Sequence, residues 1–411
     1  MRNVPKRSKK RHERRSNEVQ TTLFELVVAT GLEQLAVRLE GERTAVCGPR
    51  SRKNPNRGAH RVGHAPGELV MGGRKVSVQR PRARTMAGEE VQLPSWELFS
   101  ASDPLTAHVV RQMLLGMTTR GYGKGLEPLP AVAARGTSRS AVSRHFVAST
   151  EEALAAFLTR PLGDFDLVVL MLDGIHIDGQ VVLVALGVDG HGQKRVLGIH
   201  EGATENETAT MALVTDLRER GLRTDHSVLV VTDGAKALHK AVRNVFGKKA
   251  VLQRCQVHKM RNVLEHLPER RREFVRAALR RAWRAPSVDD ALRQLESLAK
   301  ALSSESPSAA ASVREGASET VAVLHFGLTP SLERTLRTTN AIENLMGSVR
   351  RVSRRVKRWR GGSMILRWVS ASVEHASKAF RKLRGHAGMQ TLVAHLRKLD
   401  ASPSTAARKV A

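Results

Sequence analysis

Three acidic residues in this sequence have the types and settings to do metal chemistry. Two apolar runs each deliver an aspartate: Val168-Val169-Leu170-Met171-Leu172-Asp173-Gly174 and Val228-Leu229-Val230-Val231-Thr232-Asp233-Gly234. Runs of β-branched and aliphatic residues of this length read as buried strands. Asp-Gly after a strand is most often a turn, because both residues tolerate the backbone angles that turns require. Two such strands lying side by side would also bring two carboxylates together, and hard divalent cations such as Mg²⁺ take oxygen ligands. The third acid is Glu343, in Thr338-Thr339-Asn340-Ala341-Ile342-Glu343-Asn344 near the start of a basic helix. Together Asp173, Asp233 and Glu343 could hold metal for phosphoryl transfer on DNA.

Composition points to the same substrate. The chain of 411 residues carries 68 Lys+Arg against 39 Asp+Glu, a net charge of +29. An excess of this size implies a polyanionic partner, of which nucleic acid is the first choice. An anionic membrane surface is a poor second, since no basic amphipathic terminus with aromatic anchors is present. No apolar run approaches the ~20 residues of a membrane span, and the basic N-terminus has no apolar core after it, so neither membrane insertion nor secretion is expected. The two cysteines, Cys47 and Cys255, lie far apart in the chain, which argues against a disulfide framework and for a reducing, cytoplasmic setting. Hydrophobic content of 41% is enough for real cores.

The elements that must position the acids can be read in chain order. Residues 1–18 form a basic cluster, expected as a flexible arm. Residues 19–150 are expected as a mainly helical DNA-binding region. It opens with a helix over Val19–Leu39 and a loop over Gly48–Arg61. A small hairpin follows, Glu68–Val70 against Lys75–Val78, with a Pro-limited basic exit at Arg80–Arg84. Ala107–Met117 reads as a helix. A helix-turn-helix candidate lies near 129–149: a short helix at Leu129–Ala134, a turn at Arg135-Gly136-Thr137, and a second helix from Ser138. Its N-terminal Arg139, Ser140, Ser143 and Arg144 are the residues that would meet base edges and phosphates.

Residues 160–261 read as the first part of a catalytic core. Residues 166–200 form a three-stranded meander with turns at Asp178-Gly179 and Asp189-Gly190. Those two aspartates serve turns, whereas Asp173 sits inside the first strand, where a carboxylate needs a partner or a metal. A helix over Glu205–Arg220, a strand over Ser227–Val231 ending at Asp233, a helix over Ala235–Phe246 and a strand over Ala250–Arg254 follow. Antiparallel β-β-β, then α-β-α-β, with acids on strands one and four, resembles the order of a ribonuclease H-like domain. The expected fold is therefore α/β with a mixed sheet. Residues 262–336 read as an all-helical insertion with helices at Arg271–Trp283, Val288–Leu302 and Ser308–His325. Residues 337–398 return to the core and carry the basic helix, with Arg350, Arg351, Arg354, Arg355, Lys357 and Arg358 as candidate phosphate contacts. Residues 399–411 are expected as a disordered tail.

In combination these residues resemble the bacterial insertion-sequence transposases of the Mutator type, within the DDE superfamily. The matching pieces are Leu172-Asp173-Gly174, Gly187-Val188-Asp189 with Val196-Leu197-Gly198, and Leu213, Asp216, Leu217, Arg220, Gly221 and Leu222. They continue through Thr232-Asp233-Gly234, Gln253 to Asn262, Arg284-Ala285-Pro286 and Arg337 to Glu343. The resemblance places the family's catalytic, metal-holding acids on Asp173, Asp233 and Glu343. It places its Cys-x-x-His element on Cys255 and His258, and a basic residue two helical turns after the glutamate on Arg350. Zinc at Cys255 and His258 is disfavoured, since two further ligands at metal spacing are missing; Cys255 could be core alone, and His258 could touch the scissile phosphate. Arg350 either binds phosphate or is one more solvated arginine. One departure is Gly347 in the helix interior, a poor helix former just past the catalytic acid.

The resemblance implies two Mg²⁺ ions about 3.5–4 Å apart, with Mn²⁺ able to substitute, stabilising the attacking and leaving oxygens of an in-line displacement. Water would free a 3′-hydroxyl at the element's end, and that hydroxyl would attack target DNA. It further implies recognition of terminal inverted repeats and a homo-oligomer, at least a dimer, on DNA, in a cytoplasmic protein associated with the nucleoid. Two alternatives use the same residues differently. A catalytically silent, domesticated DNA-binding protein would keep the basic surfaces and dispense with an acid. A sequence-indifferent nuclease would need the acids and no helix-turn-helix.

Overall fold

The computed structural model describes the backbone of residues 6–52, 57–71, 73–100, 104–126, 134–202 and 207–401. The chain forms two compact units, Met1–Ser149 and Thr150–Ala411. In the first, helix α1 runs over Lys6–Cys47, much longer at both ends than the expected Val19–Leu39. Most of the expected arm is therefore helical backbone, because Lys, Arg and Glu are good helix formers and no proline follows Pro5 until Pro49. Strands β1 (Ala59–Met71) and β2 (Arg74–Thr85) form a hairpin far longer than the sequence reading, absorbing part of the expected loop and the basic exit. Pro81 does not end β2, because it pairs opposite His64 at an irregularity of the ladder between Arg61 and His64, where its missing N–H costs no regular bond.

Helices α2 (Pro94–Ser100) and α3 (Pro104–Leu114) follow, the latter beginning and ending three residues before the expected helix. The first helix of the helix-turn-helix candidate lies largely outside the described residues. Its last residue, Ala134, is instead in a short strand β3 (Ala134–Arg135), paired to Val76 and Lys75 of β2. The expected turn is present, with Gly136 at φ +81°, and helix α4 (Arg139–Thr159) follows.

The second unit is built on a five-stranded mixed sheet. Strands β4 (Leu167–Ile177), β5 (Gln180–Asp189) and β6 (Lys194–Gly202) form the antiparallel meander that the turn residues specify. Asp178 and Gly179 both have positive φ, +50° and +78°, the pair of angles a two-residue hairpin turn demands. After α5 (Glu207–Glu219), strand β7 (Val228–Thr232) pairs parallel to β4, and after α6 (Lys236–Phe246), strand β8 (Ala250–Arg254) pairs parallel to β7. The sheet order is β6-β5-β4-β7-β8.

Period-2 alternation assigns the faces. Leu170, Leu172, Val228 and Val230 pack with Leu213, Val214 and Leu217 of α5 and Leu238 and Val242 of α6. Val169, Met171, Ile175, Leu229 and Val231 face the opposite way, against helices from the C-terminal third. Those are α12 (Asn340–Ser353), α13 (Gly362–Ser377) and α14 (Met389–Ala401). Between β8 and α12 the chain is helical: α7 (Gln256–Glu265), α8 (Glu269–Ala282), α9 (Val288–Leu302), α10 (Pro307–Arg314) and α11 (Pro330–Leu336). The first four share a core around Trp283, Leu295 and Leu302. The expected single helix over Ser308–His325 is broken: α10 stops at Arg314, Gly316 takes φ +61°, and Ser318–Phe326 continues as 3-10 helix.

The basic stretch also departs from expectation. Helix α12 ends at Ser353, so Arg354, Arg355, Lys357 and Arg358 lie in the connection to α13 and not on a helix. Gly361, at φ +102°, directly precedes α13 as its N-cap residue. Gly347 does not interrupt α12. Helix α14 continues to Ala401, into the expected tail over 399–411, whose residues 402–411 lie outside those described. No described helix is long and apolar enough to cross a membrane.

Candidate active site

The alternation that builds the sheet also aims the acids. Asp173 has the parity of Met171 and Ile175, and Asp233 that of Leu229 and Val231, so both belong to the face covered by α12. The register leaves room for them: β4 pairs with β7 only over Val169–Met171, and continues beyond the end of β7 past Asp173. Asp233 lies one residue beyond β7, where the chain turns, and its Oδ1 accepts the N–H of Ala235 at 2.9 Å. Gly234 makes that turn at φ +100°, and a side chain there would collide with Arg254. Helix α12 packs over β4 through Ile342, Leu345 and Met346, and this carries Glu343, in its first turn, to the same place.

The carboxylates feel one another. Burial is the main influence on Asp173, pushing its carboxyl up to about 6; the charges of Asp233 and Glu343 push the same way, against the Gly174 N–H and His258. The Gly174 N–H donates to Asp173 Oδ1 at 2.9 Å. Among the described residues no lysine or arginine is ion-paired with Asp173, Asp233 or Glu343; the basic neighbour is His258, 3.9 Å from Glu343.

Cys255 and His258 complete the cluster. The Cys255 N–H donates to Thr232 O at 2.8 Å, which fixes the exit from β8 against the end of β7. One turn into α7, His258 meets Glu343: the ligand atoms of Cys255, His258 and Glu343 all lie within 4.8 Å of one another. Thr339, fully buried, is at their centre, donating to Glu343 Oε1 at 2.6 Å and lying 3.4 Å from Cys255 Sγ and 3.5 Å from His258 Nδ1. Burial alone would raise the Cys255 thiol, but hydrogen bonds from His258 and Thr339 outweigh it and hold the thiol below its ordinary range. The same contact to Cys255 raises His258, with help from Glu343 and Asp233. The imidazole is thus biased toward its cationic form beside three acids.

The sequence reading gave no role to Thr339, although it quoted the residue. Nor did it single out His239, whose Nε2 meets Thr232 Oγ1 at 2.8 Å and whose Nδ1 lies 3.3 Å from Glu319. Thr232 directly precedes Asp233, so these contacts brace its loop. A threonine four residues before a helical acid was the available signal for Thr339, since i,i+4 residues face each other.

The remaining candidates fall elsewhere. Arg350, exposed, does not join the cluster; with Arg351 and Arg354 it lines a groove of about 670 Å³ bounded by His176 and Asp178 at the far end of β4. Arg355, Lys357 and Arg358 are exposed on the following loop. Arg139, Ser140, Ser143 and Arg144 are all exposed along the start of α4, opposite buried Val142 and Phe146, and Ser138 caps that helix through the Ala141 N–H at 3.3 Å.

The three carboxylates are the oxygen donors that hard divalent cations take, and among the described residues no lysine or arginine is ion-paired with them, but the ligand atoms that lie within 4.8 Å of one another are those of Cys255, His258 and Glu343.

Comparison with known proteins agrees with the motifs. A family model described as the transposase Mutator family matches residues 3–382. The transposase for insertion sequence element ISRM5 of Rhizobium meliloti is 26% identical over 92% of this chain and 92% of its own length. That for IS6120 of Mycolicibacterium smegmatis is 31% identical over 58% of this chain and 73% of its own. That for IS1081 of Mycobacterium tuberculosis is 25% identical over 87% and 86%. With a family match spanning nearly the whole chain, this protein belongs to the Mutator family of transposases.

Proposed function

We propose that this chain cleaves DNA at the ends of an insertion sequence and joins those ends to target DNA, using Asp173, Asp233 and Glu343 as metal ligands on a ribonuclease H-like core. The observation that carries the proposal is the convergence of three carboxylates, from β4, the end of β7 and the first turn of α12, on one face of the sheet. Bound divalent metal would activate the attacking oxygen and stabilise the leaving one. The protein's own groups do the rest. Asp173 and Asp233 are fixed by backbone hydrogen bonds at Gly174 and Ala235, and Thr339 orients Glu343. His258, biased toward the cation, is placed to bind a non-bridging phosphate oxygen, with Cys255 holding its ring. Exposed Arg350, Arg351 and Arg354, and the loop arginines and lysine after them, supply phosphate contacts that position DNA. The start of α4 would read the terminal repeats, on an assembly of at least two chains so that both ends are processed together.

The test is strand transfer on DNA carrying the element's ends. Wild type should join DNA in Mg²⁺ or Mn²⁺ and stop on chelation, and Asp233→Asn should join it about 10³-fold less or worse. Equal activity of the two would overturn the site. Tight, salt-sensitive DNA binding by both without cleavage by either would favour a silent binding protein. Replacing Ser140, Ser143 and Arg144 together by Ala should abolish end-specific binding; unchanged cleavage without end preference in the parent would instead identify a nuclease.

A further inference from the structure

Several motif residues that carry the family resemblance have no part in the carboxylate cluster: Arg284-Ala285-Pro286, Gln256-Val257, and Arg337-Thr338. All of them line one cavity of about 860 Å³ between α7, the end of α8 and α11. Its charge is one-sided. Arg280, Arg284 and Arg334 are exposed in its wall, and no ion pair of theirs exists among the described residues. Arg337 is only 12% exposed and is paired with Glu333, the one acid of the lining. The Nε of Arg337 has no hydrogen-bond partner. Burial and the nearby charges of Arg284 and Arg334 hold its guanidinium below the ordinary range. Four arginines and one glutamate line the cavity, which gives it a positive potential that favours an anion.

The cavity begins beside the acids. The Gln256 N–H donates to Arg337 O at 2.9 Å, joining α7 to the end of α11, and Thr338 directly precedes the Thr339 that holds Glu343. Guanidinium groups match phosphate geometry by forked hydrogen bonds.

We propose that this cavity binds backbone phosphates of the DNA strand being processed, through Arg280, Arg284 and Arg334. The inference rests on the reading of the acid cluster as a DNA-processing centre and adds a second anchor to it on the helical side. Arg337 holds the wall through Glu333, and the three outer arginines take the phosphates.

The experiment is DNA binding without metal, by fluorescence anisotropy on a labelled duplex across a salt series. The triple variant Arg280→Gln/Arg284→Gln/Arg334→Gln is compared with wild type. A second triple variant, Arg218→Gln/Arg293→Gln/Arg381→Gln, removes the same charge from exposed sites outside the cavity. Each lost phosphate contact should lower the slope of log K against log salt by about 0.9, so the cavity variant should fall by about 2–3. The control should stay near wild type, and both should keep their circular dichroism and Tm. Equal slopes in wild type and cavity variant, or an equal fall in the control, would overturn the proposal. Inorganic phosphate binding lost in the cavity variant, with the DNA slope unchanged, would assign the cavity to a small anion and overturn it too. Strand transfer separates the two readings. A wild type that joins DNA while the cavity variant keeps its slope sinks this inference alone. An inert wild type whose slope still depends on the three arginines sinks the catalytic reading alone.

Discussion

The two faces of the five-stranded sheet are made by the same alternating strands and do opposite things. On one, Leu170, Leu172, Leu183, Val228 and Val230 meet α5 and α6 in an apolar core. On the other, the same alternation carries Asp173 and Asp233 among Val169, Met171 and Val231, and α12 brings Glu343 to them. One face is packed for stability. The other accepts the cost of gathering three carboxylates in a half-buried place, and Asp173 shows that cost in a carboxyl pushed up to about 6. Strain of this kind is expected where chemistry is done.

The largest expected effect tests the acidic face directly. Asp233→Asn should lower strand transfer by about 10³-fold or more, since a lost ligand forfeits several kcal/mol of charge stabilisation at about 1.4 kcal/mol per tenfold. Its Tm should hold or rise, because one of three repelling charges is gone. A variant that loses activity and melts much earlier would show that Asp233 serves the fold, and the contrast between the faces would fail.

The other face should behave in reverse. Arg220, just past α5, is 8% exposed on its side chain and donates to Leu197 O at 2.7 Å, to Phe157 O and Arg160 O at 3.3 Å each, and to Asp216. It ties α5 to β6 and to the chain entering β4. Arg220→Ala would leave these acceptors without their donor, at a cost of about 3–4 kcal/mol by the magnitudes of charged hydrogen bonds. Differential scanning calorimetry should show Tm lower by about 6–12 °C. Strand transfer at low temperature should persist in the fraction that is folded; its complete loss there would break the contrast.

How much of this was legible in the sequence follows from what each feature depends on. The meander was readable because Asp178-Gly179 lies between two alternating apolar runs, where that pair favours a two-residue turn, and because alternation names the face of most strand residues. Asp173 and Asp233 were readable for the same reason. Glu343 needed the family resemblance, since nothing local says which helix closes over which face. Thr339 was missed because its role exists only when Cys255 and His258, 84 and 81 residues away, converge on the threonine that already faces Glu343 one helical turn on. The breaks at Gly316 and Ser353, and β2 running through Pro81, were missed because apolar period and charge pattern do not register a single residue's φ or a local ladder irregularity.

A smaller effect probes the boundary between fold and site. Gly234 has φ +100°, and a Cβ there would stand 2.0 Å from Arg254 Nε. Arg254 is 6% exposed on its side chain and bonds Glu315 Oε2 at 3.1 Å, so it has little freedom to retreat. Gly234→Ala should cost about 2–3 kcal/mol in strain and displaced contacts. Because the residue adjoins Asp233, activity should fall more than the melting temperature implies. Activity that tracks the folded fraction alone would mean that the loop carrying Asp233 need not be rigid.

The smallest effect lies at the far end of the acidic face, where α14 is clipped to the sheet by Asp400. Its carboxylate accepts the Ser227 N–H at 2.9 Å and the Ser227 hydroxyl at 2.7 Å, and meets Lys249 Nζ at 2.7 Å. Burial alone would raise this carboxyl; the bonds from Lys249 and Ser227 outweigh it and hold it at about 2. The folded value lies below the ordinary 3.8, so the stabilisation is complete above that pH and is lost as pH falls toward about 2. With the side chain 19% exposed, screening reduces the contribution to about 1–2 kcal/mol. Asp400→Asn should therefore lower Tm by a few degrees at pH 7, and the gap between variant and wild type should narrow as the melts are repeated toward pH 3. A gap that stays constant with pH would mean that the amide loses shape and hydrogen-bond geometry rather than charge. In that case α14 is held to this face by Met389, Leu392 and Leu396, as α5 is held to the other by Leu213 and Leu217, and the two faces differ only where the three acids stand.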